Sequence, residues 1–251
     1  MRTLVAALIG FASGVASGAF GIGGALLSTP GIRWALDAPP LIAVGTTLPV
    51  IIPTAITGVV AYIKAGFVEM RVAAIAATAG GCFAILGALT TELVAGEALL
   101  VATAVLLFVL SVRMLPRKGE QKPQAIEPTV VAVVLIGSVS GFVAGLLGVG
   151  GGVILVPVLT GLLRFPIKTA LGTSLAIVAA QAIPGSVTHA LIGNIDWTIA
   201  GGLVLGVIPG ARIGSRLAVA TEDARLRLTV ALAMMILALI FGGTELRGWL
   251  S

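Results

Sequence analysis

Uncharged, apolar runs alternate with short charged breaks along the whole chain. They cover 3–32, 38–63, 72–91, 98–112, 128–163, 169–195, 197–211 and 228–244. Each is long enough to cross a bilayer core of roughly 30 Å as a helix, with 98–112 and 197–211 borrowing a turn from their flanks. Runs 3–32 and 128–163 are too long for one straight crossing, since the second would reach about 54 Å as continuous helix. Each also holds a glycine cluster, Gly21-Ile22-Gly23-Gly24 and Gly148-Val149-Gly150-Gly151-Gly152. The pattern therefore predicts an all-α polytopic membrane protein of about eight segments. Both long runs break at their glycines into a helix, an unwound stretch and a second short helical piece.

The sustained polar stretch, Arg113 to Pro128, carries Arg117, Lys118, Glu120, Gln121, Lys122, Glu127 and three prolines. It cannot bury enough apolar surface to fold alone and reads as a linker. Its central place prompts a search for duplication, and an offset of 127 residues provides one. Gly14, Gly18, Gly21, Gly23 and Gly24 meet Gly141, Gly145, Gly148, Gly150 and Gly151; Pro30 meets Pro157, and Gly45-Thr46 meets Gly172-Thr173. The chain divides into a first membrane repeat (1–115), a linker (116–128) and a second repeat (129–251), two homologous halves of four segments each. An even number of crossings per half makes the halves parallel and an odd number inverts them, and the sequence leaves that open. With eight crossings both termini share a side with the linker. That side then holds a small excess of Lys and Arg, which favours cytoplasmic termini.

Composition agrees with the pattern. Apolar residues make up 58% of the 251, Gly adds 34, and mean hydropathy is +1.17, which excludes a soluble enzyme with a large extramembrane domain. One cysteine, one histidine and ten scattered carboxylates leave no disulfide, metal cluster or cofactor site to expect. The net charge of +5 is spread over the ends of apolar runs, as in membrane loops, so no nucleic-acid partner is expected. The stretch after Arg2 lacks a cleavage pattern and is read as mature protein.

The glycine clusters carry most of the chemistry. An unwound stretch within the bilayer must face protein or an aqueous cavity. The short helices that follow point their first amides and positive dipole ends there, a plausible anion site between related halves. Gly21, Gly23, Gly24, Gly148, Gly150, Gly151 and Gly152 are the candidates; the competing reading is close helix packing through small residues. Thr46, Thr47, Thr173 and Ser174 offer hydroxyls to an oxyanion or a broken helix end, or bond back to their own helix turn. Opposite Thr54, Tyr62 and Phe67 the second half has Gln181, His189 and Asn194, and opposite Ile85 and Leu89 it has Arg212 and Arg216. Gln181 and His189 share a helical face. His189 is either a proton carrier or a hydrogen-bonded wall residue. Arg212 either lines the pathway or anchors at the interface, and Arg216 reads as an anchor. Glu69 and Asp196 fall where they would cap helix starts. An intramembrane enzyme would need a nucleophile with a base, or metal ligands, facing one another; Ser13, Ser17, Ser28 and His189 are present, but no membrane Asp or Glu completes a conventional triad. A channel or a purely structural protein is separable from a carrier by saturation and counterflow.

The paired glycine patterns at 14–30 and 141–157, with Gly-Thr-Thr, Gly-Thr-Ser and the polar linker, resemble the TauE/SafE family of membrane transporters. The resemblance spans nearly the whole chain. It implies a multi-pass protein of the bacterial inner membrane that moves small sulfur-containing anions such as sulfite, sulfoacetate or related organosulfonates, with export the expected direction. Another small organic anion, or an anion channel, is the alternative. The driving ion, proton coupling included, and the oligomeric state stay open. Ala25 stands where the second cluster has its fourth glycine, Gly152, which narrows the first half's contribution.

Overall fold

The computed structural model describes residues 2–94, 96–115, 126–148 and 150–250. Most of the expected linker, and Val149 of the second glycine cluster, lie outside them. Among the described residues the chain is helical: α1 (Arg2–Phe20), α2 (Ala25–Leu36), α3 (Pro40–Lys64), α4 (Met70–Thr90), α5 (Gly96–Met114), α6 (Val130–Leu147), α7 (Gly152–Gly161), α8 (Ile167–Leu191), α9 (Trp197–Ala220) and α10 (Asp223–Leu250). Six of these, α1, α3, α4, α6, α8 and α9, are long and apolar enough to cross a membrane. Exposed apolar side chains recur at helical spacing, for example Leu228, Leu232, Ile236 and Leu239 on α10, as suits surfaces turned to lipid.

One boundary differs from the sequence reading. The apolar run ending at residue 211 continues as helix to Ala220, carrying Arg212 and Arg216 with it. Long basic side chains can lie on a helix near an interface, with apolar stems packed and charged heads in water, so charge does not stop the helix. Among the described residues five helices lie on either side of the linker, as four apolar runs with the first of each four broken at its glycines require. The glycine breaks turn the short pieces into helices of their own.

Helices α3 and α8 form the centre, with two-thirds of their apolar windows buried against a third to under half for the other four. They run antiparallel: a methyl built on Gly58 would lie 3.2 Å from Leu175, and one on Gly185 would lie 3.8 Å from Leu48. On one flank α1 lies parallel to α9, Gly10, Gly14 and Gly18 stepping along Leu203, Val207 and Ala211. On the other, α6 lies parallel to α4, Gly137, Gly141 and Gly145 stepping along Ala76, Gly80 and Ala84. Glycines four apart on one face let two backbones approach within reach of Cα–H···O contact. The packing reading of small residues therefore holds for Gly14, Gly18, Gly141 and Gly145, all within continuous helix.

Helix α2 folds back along α1, with Ser28 donating to Ser13 Oγ (2.9 Å) and Gly31 beside Ile9. This return changes the topology. Helices α1, α3 and α9 start at one end of the bundle, where the Asp196 amide donates to Thr46 Oγ1 (2.9 Å) and Gly202 adjoins Thr3 and Ala6. The linker's flanks lie at the opposite end, where Arg227 Nε donates to Met114 O (3.2 Å) and Ile126 N to Leu163 O (3.0 Å). The N-terminus and the linker are thus at opposite ends, not on the shared side that one crossing per apolar run had implied.

Candidate functional site

Both glycine clusters are gaps between helices. Gly21, Gly23 and Gly24 have φ of 71°, 85° and 87°, and Gly148 and Gly150 of 63° and 76°. A side chain is strained in that left-handed region, which is why glycine fills these turns. A methyl on Gly23 would sit 2.7 Å from Val178 and 3.2 Å from Ile51, and one on Gly150 would sit 3.2 Å from Ile51 and 3.5 Å from Val178. Both tips therefore meet where α3 and α8 cross, and Gly152 abuts the Gly21 carbonyl across the contact (2.6 Å from a built methyl). Helices α2 and α7 begin here behind Gly24 and Gly151, and neither has a side-chain cap. Their first amides therefore need partners of another kind.

The hydroxyl residues hold the tips together. Thr47 Oγ1 donates at 2.9 Å to Gly148 O and lies 2.8 Å from Val44 O, while Ser174 Oγ donates at 2.8 Å to Gly21 O. Each central helix thus ties down the other set's tip. Thr46 and Thr173, one residue before Thr47 and Ser174 and on another face of the helix, accept from the Asp196 and Glu69 amides at 2.9 and 3.0 Å. The expected helix-end and back-bonding roles are both occupied at Thr47. Thr47→Val removes the bond to Gly148 O at nearly constant volume. We expect it to lower unfolding stability by about 1 kcal/mol, measured by thermal or denaturant unfolding in detergent, with Ser174→Ala giving a similar loss.

Gln181 and His189 are buried and bond to carbonyls of α6. Gln181 Nε2 donates to Gly137 O and to Ala76 O, both at 3.2 Å, and its carboxamide adjoins Ser140 Oγ. His189 Nε2 lies 3.1 Å from Gly145 O; a carbonyl only accepts, so that nitrogen carries the proton. Tyr62 donates in like fashion to Gly18 O at 3.0 Å. Gln181 reaches the second tip, Oε1 lying 2.9 Å from a methyl built on Gly151. Arg212 is exposed on the outer face of α9 and is not brought to the tips. Asp196 caps α9 through Thr198 and Ile199, whereas Glu69 makes no side-chain cap. Among the described residues no group of His, Cys, Asp and Glu could hold a metal ion.

Ser13 and Ser17 also belong to the site, although the sequence reading gave them no binding role. They lie one turn apart on α1, facing the start of α2. Ser13 Oγ donates to Gly24 O, and both line a cavity of about 10 Å³ with Ala16, Phe20, Ile22, Gly24 and Leu27.

The Sulfite exporter TauE/SafE profile matches residues 6–241. The chain belongs to the TauE/SafE family. Relatives run along nearly its full length. YunE of Bacillus subtilis, titled "Probable membrane transporter protein", is 27% identical over 96% of both chains. A Xylella fastidiosa relative of the same title is 28% identical over 92% of this chain and 89% of its own. MJ0441 of Methanocaldococcus jannaschii, again so titled, is 22% identical over 92% of each. No solved structure matches the chain at a significant level. As a TauE/SafE protein it is a multi-pass secondary anion transporter of the inner membrane.

Proposed function

We propose that this TauE/SafE protein exports a small sulfur oxyanion, such as sulfite or an organosulfonate, and binds it where the two glycine tips meet. The observation that carries the reading is the convergence of two uncapped helix starts, α2 and α7, between α3 and α8. An oxyanion loses much hydration on entering the membrane, and helix-start amides, dipole ends and hydroxyls already in place can replace it. The family's name, sulfite exporter, supports sulfite as the cargo. The bland alternative, a sealed structural bundle, has no use for uncapped helix starts at its centre.

The two sets of helices are read as inverted repeats. Helices α2, α3, α4 and α5 start at 25, 40, 70 and 96, and α7, α8, α9 and α10 start at 152, 167, 197 and 223, each 127 later. Contacts recur under the same shift with the halves exchanged: Thr47 to Gly148 and Ser174 to Gly21, Tyr62 to Gly18 and His189 to Gly145. Antiparallel α3 and α8 support a pseudo-two-fold lying in the membrane plane. On this topology the linker end carries Lys64, Arg71, Arg113, Arg164, Lys168, Arg216, Arg225 and Arg227 besides the linker's own bases. The other end has Arg2, Arg33 and Arg247. The asymmetry supports a cytoplasmic linker end, with the termini outside. A cavity of about 250 Å³ lined by Glu69, Arg71, Glu127 and Phe165 marks the cytoplasmic approach.

Proteoliposomes loaded with sulfite, sulfoacetate, sulfate or acetate, under imposed proton gradients, test cargo and coupling together. Saturable flux with counterflow for the sulfur anions is expected; flux linear in concentration would replace the carrier with a channel. Topology has its own test. Asp37 and Arg164, both at φ 53°, close the two short helices, so Asp37→Cys and Arg164→Cys should label from opposite faces of the membrane in a Cys82→Ala background. Labelling from the same face would establish parallel repeats.

A further inference from the structure

Between the two tips the pseudo-symmetry fails at one place, and the failure decides which tip holds the cargo. Ser17 is 2% exposed and its Oγ has no hydrogen-bond partner, although Ser13 and Ser28 beside it are bonded. A buried hydroxyl without a partner costs on the order of 1–3 kcal/mol, and this one lines the cavity against Gly24 and Leu27 at the start of α2. The corresponding residue of the second half, 127 later, is Ala144, which presents no hydroxyl. Next to each glycine cap the difference repeats. Beside Gly24 stands Thr54, which sends its hydroxyl back to Val50 O (2.6 Å) and turns its methyl nearest the cap, 3.1 Å from a methyl built on Gly24 against 3.5 Å for the hydroxyl oxygen. Beside Gly151 stands Gln181, whose carboxamide occupies the space against the cap and is held by Ala76 O, Gly137 O and Ser140.

We infer that the anion's head group binds at the first tip alone, one oxygen accepting from Ser17 and the start of α2, while the Gln181 carboxamide permanently fills the equivalent place at the second tip. The inference rests on the transport reading above and deepens it by naming the half and the residues that recognise the oxyanion. The cavity of about 10 Å³ is the size of one water, so it accommodates a single oxygen of the cargo in this closed arrangement. The rest of a sulfite or sulfonate enters as the α1–α2 hairpin opens from α3. Gln181 is suited to its role because its carboxamide supplies an acceptor beside the α7 start and two donors for the α4 and α6 carbonyls, without carrying charge into the membrane. Thr54 is too short to do the same, and leaves the space beside Ser17 for a mobile oxyanion.

The experiment is sulfite binding by the purified full-length protein, measured by calorimetry and by the rise in melting temperature that sulfite produces. Ser17→Ala should raise the melting temperature without ligand, since no bond is lost and the cost of an unpartnered buried hydroxyl is relieved, and weaken sulfite binding about tenfold, the worth of one hydrogen bond to a charged group. Thr54→Gln should copy the filled second tip into the first and abolish binding. Ser140→Ala, at the second tip, should bind as the parent does. Equal weakening by Ser17→Ala and Ser140→Ala would overturn the inference in favour of a shared site, and parent-like binding by Ser17→Ala and Thr54→Gln would overturn it outright. Either result leaves the transport reading standing. A parent protein that binds neither sulfite nor sulfoacetate would remove that reading, and the inference with it.

Discussion

Leucine at Gly24 is expected to stop transport while the protein still inserts and purifies. Gly24 has φ of 87°, and a methyl there would lie 3.1 Å from Thr54 Cγ2 and 3.6 Å from Ser17 Cβ. Left-handed backbone costs an L-residue roughly 1–2 kcal/mol, which a bundle of this size survives. The larger effect is local. The remaining leucine carbons have only the cavity beside Ser17 to enter, so they fill the place of the cargo and push the α2 start away from it. Uptake of labelled sulfite into proteoliposomes should fall roughly hundredfold or more, as misplacement by about 1 Å does at other preorganised sites. Gly24→Ala, with the strain but little of the bulk, should lose distinctly less. Uptake at the parent rate by folded Gly24→Leu protein would remove the first tip from the pathway. Gly151 is a different case. Its φ is −58° and a methyl would lie 2.7 Å from Ser140 O, so leucine there strikes backbone and tests the α6–α7 packing more than the site.

Leucine at Gly141 should prevent the bundle from forming. Gly141 meets Gly80 on α4, and a methyl on Gly141 would fall onto the Gly80 backbone, its carbonyl oxygen first. Neither helix has a flexible side chain at the contact that could yield. The two axes must separate, and with them the neighbouring contacts of Gly137 with Ala76 and Gly145 with Ala84. The cost exceeds the roughly 1–3 kcal/mol usual for overpacking a core, because a whole helix pair loses its close approach and its lipid-excluded contact. A fluorescent fusion of Gly141→Leu should show little or no monodisperse protein in detergent. Gly201→Leu is the matched control: nothing lies within 4 Å of a methyl there, and it should behave as the parent.

Much of the fold could be read from charge-free runs and glycine spacing. The breaks after Phe20 and Leu147 followed from run length, because about 54 Å of helix does not fit a bilayer. The ends of the bundle were harder to place. Each basic residue was legible, but its side depends on how many times the chain has crossed before it, and the backward course of α2 is a tertiary fact settled by contacts such as Ser13 with Ser28. Arg212 stayed open between pathway and anchor for a related reason. In sequence Arg212 ends an apolar run after Pro209-Gly210 and looks like a pathway residue; in the helix it faces outward while Ala211 and Gly214 pack on α1. Ser17 escaped because a serine four residues from another, among glycines and alanines, has the signature of helix packing. The available clue was its Ala144 counterpart, a polar position in one half set against an apolar one in the other.

The exchange of contacts between the two sets of helices bears on how a cell makes this protein. Gly21 O waits for Ser174, and Gly148 O is held by Thr47, so the first hairpin leaves the ribosome more than 150 residues ahead of the hydroxyl that completes it. Until then the nascent N-terminal helices expose unwound backbone that lipid cannot satisfy, and they must be sheltered by the insertion machinery, water or one another. A chain interrupted in its second half would therefore retain an incomplete hairpin, a mark by which membrane proteases could distinguish it from finished protein. Two genes encoding the halves separately would meet the same demand, and their products would be stable only when made together.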